Sequence, residues 1–350
     1  MAGVEKTNGE IAAWLAKHPR DNPYDALRKK KIEALKQLTG RPVLAYAADF
    51  LSAKVQFTPQ LQSQAMIGLR DKDYLPDVTS TIPGDVVDLI LQSPGGVAEA
   101  AETLVAHLRS RFRDIRVFVP GTAKSAATML AMCANQIVMD ESSELGPTDP
   151  QMFINGRFSP AGAILKQFEL AQQTLKGNPS IMPAWLPVLQ MYGPSLLLEC
   201  QHHLDLSRSL VSSWLEQYMF AGLNDAAERA KRVAGWLAED NNFLTHNRRV
   251  TIKALEENGV RVFDMGENPA LQEAVRDLYF AMMATFDGTG AVKLVESSEG
   301  KTLAVTVQQV AISPSQPLQP GPPALPAPGQ QGPLPGLPGG PALPSPPRSP

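Results

Sequence analysis

Between residues 86 and 140, short, largely apolar runs alternate with amphipathic stretches of helical length. The runs are 86–92, 115–119 and 136–140, and the stretches are 97–111 and 125–134. Apolar runs this short, bounded by Pro, Gly and Ser, read as strands buried on both faces. Their alternation with helices predicts a mostly parallel sheet in an α/β fold. Residues 42–48 read as the first strand, and Tyr24, Leu27, Ile32, Leu35 and Leu38 give a helical period over 24–38. A helix is predicted over 58–71, and a loop over 72–85 around Pro76, Pro83 and Gly84. Further helices are predicted at 160–176, 194–219, 224–238, 250–258 and 269–286, and a hairpin over 292–310 around Ser297–Gly300. Residues 1–22 are polar and end at a break marked by Pro19 and Pro23.

Two of the strand-to-helix turns carry chemistry. The first, Ser93-Pro94-Gly95-Gly96, follows strand 86–92. Adjacent glycines let backbone N–H groups approach a ligand closely. The second, Pro120 to Ser125, follows strand 115–119, and Ser125 opens the small-residue helix Ala126-Ala127-Thr128-Met129. A hydroxyl there sits beside unpaired N–H groups at the positive end of a helix. Taken alone, Ser125 reads as an N-cap. Two such turns about 30 residues apart in a parallel sheet lie side by side. One then offers a nucleophile and the other an oxyanion hole, the pairing that acyl transfer requires.

The runs 88–96 (DLILQSPGG), 123–129 (AKSAATM), 136–140 (QIVMD) and 144–151 (ELGPTDPQ) resemble the serine dehydrogenase proteinase family. That family belongs to the ClpP/crotonase superfamily, with ClpP and signal peptide peptidase A as relatives. The resemblance covers residues 40–290 and is most specific over 88–151. It implies a ClpP/crotonase-like spiral of ββα units with a mostly parallel sheet and added helices. It also implies serine peptidase chemistry, oligomeric assembly, and an oxyanion hole from the N–H groups of Gly96 and Ala126. In ClpP-like proteins the substrate strand pairs beside the Gly-Gly turn, which makes Ser93, Pro94 and Gly95 candidate substrate-binding residues within 93–98. The chain divides accordingly into an N-terminal helical arm (1–40), a peptidase domain (41–290), an extension with a hairpin (291–312) and a Pro-rich tail (313–350).

Ser125 needs a base, and the chain offers two. Lys166 lies 41 positions after Ser125 on an apolar helix. This order resembles the Ser/Lys dyads of signal-peptide-peptidase-like relatives, and desolvation favours the neutral amine. The alternative is Asp149, in the rigid turn Gly146-Pro-Thr-Asp-Pro150, with His246. The family has been described with the order Ser, Asp, His, whereas ClpP places its His about where Asp149 falls. Lys166 is the preferred base here, and Asp149 with His246 stays open.

Composition narrows the partners. The chain is 43% hydrophobic and carries a net charge of −3, so no basic surplus points to nucleic acid. Two cysteines, Cys133 and Cys200, form no disulfide or zinc pattern and fit a reducing, cytoplasmic setting. No apolar run reaches about 18 residues, so no integral membrane segment is expected, unlike in archaeal members of the family. No cofactor is expected; a polypeptide is the substrate, and a homo-oligomer the assembly. About half of the chain's 31 prolines lie beyond residue 312. That tail reads as disordered with polyproline II character, and a partner could dock on it. Two rivals remain: a crotonase-like enzyme acting on acyl-CoA thioesters through Glu144 or Asp149, and a catalytically silent scaffold.

Overall fold

The computed structural model describes residues 2–18 and 22–307. Its N-terminal part comprises α1 (Ala2–Lys17), α2 (Pro23–Thr39), β1 (Val43–Ala48), α3 (Ala53–Gln56), α4 (Pro59–Ala65) and α5 (Asp71–Thr79). The centre holds β2 (Val86–Gln92), α6 (Ala98–Arg111), β3 (Asp114–Phe118), β4 (Thr122–Ala123), α7 (Ala126–Ala131), β5 (Gln136–Met139) and β6 (Glu144–Leu145). An excursion follows, with hairpin β7 (Gln151–Ile154) and β8 (Arg157–Pro160), then α8 (Ala161–Gly177), α9 (Met182–Leu189) and α10 (Leu196–Trp214). The chain continues through α11 (Ala226–Ala238), α12 (Asp240–Phe243), α13 (Ile252–Glu257), β9 (Val262–Asp264), α14 (Pro269–Gly288), β10 (Ala291–Ser297) and β11 (Thr302–Thr306).

Seven strands form the main sheet in the order β11-β10-β1-β2-β3-β5-β9. The pairs from β1 through β2, β3 and β5 to β9 are parallel, and β10 runs antiparallel to both β1 and β11. Strand alternation divides the side chains between two cores. Leu44, Tyr46, Leu89, Leu91, Val117 and Ile137 face one core, which α5, α6, α7 and α11 cover. Val43, Ala45, Ile90, Phe118 and Val138 face the other, which α2 and α14 cover. Both faces are therefore buried, which is why these strands read as largely apolar runs. The mixed α/β architecture and mostly parallel sheet agree with the expectation.

Several expectations change. Residues 1–22 hold a helix, α1, tied to α14 by Lys6 with Glu273 and Asp277, both at 2.9 Å. The helix expected at 58–71 stops at Ala65, and the expected loop at 72–85 begins with α5. Pro76 is the sixth residue of that helix and lies inside it, where it forgoes one intrahelical hydrogen bond. The hairpin expected at 292–310 exists as β10 and β11, but β10 pairs with β1 inside the main sheet. The sheet therefore runs past the expected boundary at residue 290. The Pro-rich tail lies outside the described residues.

Asp140 anchors the turn into β6. It is fully buried, accepts from the N–H groups of Ser142 and Ser143, and meets Arg276 at 2.8 Å. Burial pushes its carboxyl up, but hydrogen bonds from Ser142, Arg276 and Gln272 overcome this and hold it well below the usual range. A depressed carboxylate contributes its full stability above its unfolded value near about 4, and loses it progressively as pH falls from there through its depressed folded value. Asp140→Asn is expected to lower the urea midpoint at pH 7 and to lower it less at about pH 2, as the depressed carboxylate nears protonation. Equal losses at both pH values would contradict this.

Candidate active site

The two turns identified in the sequence meet. Ser93 N–H donates to Thr122 O at 2.9 Å, and Lys124 N–H donates to Ser93 O at 3.1 Å. Gln92 Oε1 accepts from Thr122 N–H at 2.7 Å. A Cβ on Gly95 would lie 2.5 Å from Lys124 O and 2.8 Å from Ser125 Cβ. Only glycine fits there, at a φ of +96°.

Ser125 itself has φ 51° and ψ −120°, an unfavourable conformation for a residue with a side chain. Its side chain makes no capping hydrogen bond with α7, which begins at the next residue. The N-cap reading therefore does not describe it. The turn is pinned from behind by Thr128, whose Oγ1 donates to Ala123 O at 2.8 Å and accepts from Gly146 N–H at 3.0 Å.

Gly96 is presented by a parallel bridge to Ile67. Ile67 N–H donates to Gly95 O at 2.8 Å, and Val97 N–H donates to Ile67 O at 3.0 Å. In that pattern the bridged Gly96 directs its own N–H to the opposite edge. A Cβ on Gly96 would lie 2.6 Å from Ile67 N, so this contact also requires glycine. Ala126 is the first residue of α7, and its N–H has no partner within that helix. Ser93 and Gly95 are buried, Pro94 and Gly96 are half-buried, and Ser93 Oγ accepts from Gly95 N–H at 3.2 Å. Ser93 thus shapes the turn from inside, and the edge of 95–97 that faces Ile67 is already paired.

A strip of short pairings brings the Asp and His together. Ala123 pairs with Leu145 in parallel, and Leu145 pairs with Val250 antiparallel. Asp149 lies four residues past Leu145 and His246 four residues before Val250, so the antiparallel register carries them toward each other. Asp149 Oδ1 lies 2.7 Å from His246 Nδ1. Its other oxygen accepts from Gln151 Nε2 at 2.6 Å. Asp149 is buried and His246 is half-buried. A carboxylate on Nδ1 fixes the imidazole tautomer that leaves the Nε2 lone pair free.

Lys166, on α8, is placed against the end of α11, with Nζ 2.6 Å from Glu239 Oε1. Arg208 approaches the same carboxylate at 3.5 Å. Thr148 N–H donates to Leu237 O at 2.8 Å, so this pair is held near the Asp149 turn. An ammonium engaged by a carboxylate is the opposite of what a general base needs, which is a neutral amine within reach of the hydroxyl.

One charged group at the site was not singled out from the sequence. Lys124, directly before Ser125, is buried, and its Nζ lies 3.1 Å from both Leu145 O and Glu144 Oε1. Burial pulls its ammonium down, and Glu144 opposes this. Its stem crosses Gly146, where a Cβ would meet Lys124 Cδ at 2.6 Å. Glu144 is therefore engaged in holding the turn. The signal in the sequence was a lysine within an otherwise small and apolar run. Among the described residues, no group of three or more His, Cys, Asp or Glu is placed to hold a metal ion.

Two uncharacterised proteins of Methanocaldococcus jannaschii match 199 residues at 26% and 27% identity, each match covering 56% of this chain. The match spans 59% and 60% of those relatives' own lengths. Two solved structures of a 1510-N membrane-bound stomatin-specific protease, one with a substrate peptide, are distant likenesses, each with a TM-score of 0.35. The first is 16% identical over 58% of this chain and 77% of its own; the second is 13% identical over 69% and 83%. Among the described residues, no helix is long and apolar enough to cross a membrane. Residues 66–182, which carry the Gly-Gly turn, Ser125, Asp149 and Lys166, match the family of ClpP-like SDH-type serine proteinases.

Proposed function

We propose that this chain is a serine peptidase in which Ser125 is the nucleophile and His246, oriented by Asp149, is the base. The observation that carries this reading is the contact of Gly95 with Ser125 at one end of the strip whose other side holds the Asp149–His246 bond. In the reaction, Ser125 Oγ bonds to the scissile carbonyl carbon as its proton passes to His246 Nε2. The carbonyl oxygen becomes the oxyanion and takes hydrogen bonds from Gly96 and Ala126 N–H. The C–N bond breaks, and the imidazolium returns its proton to the departing amine. Water, deprotonated by the same imidazole, releases the acyl group and regenerates the hydroxyl. No cofactor enters these steps.

The Ser125–Lys166 dyad is the second reading, supported by the order and spacing of the two residues. Its Glu239 partner is about one-third exposed, so solvent weakens that pair. The crotonase-like reading loses ground, because Glu144 is engaged by Lys124 and Asp149 by His246 and Gln151.

A polypeptide substrate and a homo-oligomer belong to this proposal. The assembly is supported by the excursion 151–198, where Phe153, Phe158, Leu170, Met182, Leu186, Met191 and Leu198 are all exposed. Surfaces this apolar mark contact sites. A cytoplasmic setting is supported by Cys133 and Cys200, both free and buried. A fluorophosphonate is expected to label the wild type and to leave Ser125→Ala unlabelled. Absence of label on the folded wild type, or equal labelling of Ser125→Ala, would contradict the reading.

A further inference from the structure

Outside the site, the strongest group of buried ionisable side chains is Tyr46, Asp71 and Lys293, from β1, α5 and β10. Each is at most 3% exposed. Lys293 Nζ lies 2.8 Å from Asp71 Oδ1 and 2.9 Å from Asp71 Oδ2, and Tyr46 O–H donates to Asp71 Oδ2 at 2.8 Å. Burial raises the Tyr46 hydroxyl well above its usual range, and it lowers the Lys293 ammonium against the pull of Asp71. Ion pairs this deep add little net stability over an apolar packing, so a role in fixing geometry is the better account of them.

The group reaches the oxyanion loop through two backbone contacts. Lys293 Nζ donates to Met66 O at 2.7 Å, and Asp71 Oδ2 accepts from Gly68 N–H at 2.9 Å. These anchors flank Ile67, the residue whose N–H and carbonyl bracket Gly96 through Gly95 and Val97. A fixed Ile67 therefore fixes the direction of Gly96 N–H.

We propose that Tyr46, Asp71 and Lys293 are positioning residues that clamp Ile67 and thereby aim Gly96 N–H at the oxyanion. Tyr46 and Lys293 lie outside residues 66–182, so the family's segment depends on the sheet's other strands for its geometry. The inference rests on the peptidase reading for its catalytic consequence, though not for the mechanical link itself.

Tyr46→Phe removes one hydroxyl and preserves packing, whereas Lys293→Met removes the ammonium at similar length. Amide hydrogen exchange is measured at Val97, which donates to Ile67 O, and at Asn135, which donates to Ile115 O across the sheet at 2.8 Å. In either variant, exchange at Val97 is expected to rise about tenfold relative to Asn135, as local opening separates from global opening. The fluorophosphonate labelling rate and kcat are expected to fall about tenfold, with KM within about twofold, since an oxyanion donor acts mainly in the transition state. Equal acceleration at Val97 and Asn135, or none at Val97 in a folded Tyr46→Phe, would overturn the clamp. Loosened exchange with full labelling would overturn its catalytic part. A wild type that takes no label would defeat the peptidase reading instead, and the Val97-to-Asn135 ratio would still decide the clamp. If Lys293→Met does not fold, Tyr46→Phe carries the test.

Discussion

Gly95→Ala is expected to reduce labelling of Ser125 by a fluorophosphonate at least about a hundredfold, since a displacement near 1 Å in a reacting group costs that much. The added methyl would sit 2.5 Å from Lys124 O and 2.8 Å from Ser125 Cβ, at a φ of +96° that a side chain adopts only with strain. Such strain costs about 1–3 kcal/mol, well within what a domain tolerates. The fold is therefore expected to survive while the nucleophile is pushed away. The Asp149–His246 bond lies on a different strand pairing and is expected to persist in the variant. Comparison of labelling rate with melting temperature checks this. A variant that labels at the wild-type rate would mean that the glycine turn does not set the position of Ser125.

The second large effect separates the two bases. With His246 as base, His246→Ala is expected to slow labelling about ten thousandfold, and Asp149→Asn by a similar factor through the wrong tautomer. The two changes combined are expected to cost little more than either alone, because the residues act as a unit. Lys166→Met is then expected to change the rate less than about threefold, as befits a half-exposed ion pair with Glu239. The opposite pattern, with Lys166→Met nearly silent and His246→Ala active, would establish the Ser/Lys dyad. Each rate is compared at equal folded fraction, measured by circular dichroism.

The strands and the two turns were legible because their signals are local. Residues 86–92 and 115–119 are apolar runs closed by turn residues, and the structure places β2 and β3 there. Asp149 and His246 were legible only as alternatives. Their meeting depends on the Leu145–Val250 bridge, across about a hundred residues of sequence, which no local pattern encodes. The positive φ of Ser125 was equally hidden, since it arises where α7 starts directly after β4, which pairs with β6 outside the main sheet, and no local pattern marks that junction. Helix α9 was missed because Pro183 and Pro187 suggest a loop, although Pro183 stands in its first turn. Strand β9 spans three residues and carries too short a pattern to read. The Tyr46–Asp71–Lys293 group joins three distant segments, and each member alone resembles an ordinary strand or helix residue.

In the proposed mechanism Ser125 Oγ is the atom that attacks, within a frame built by the Gly95-Gly96 turn. The most direct measurement is mass spectrometry of the peptide containing Ser125 after treatment with a fluorophosphonate, on wild type, Ser125→Ala and Gly95→Ala. The expected result is one adduct per wild-type chain on Ser125, none on Ser125→Ala, and formation at least about a hundredfold slower on Gly95→Ala. An adduct on another residue of the wild type, or undiminished modification of Gly95→Ala, would contradict it.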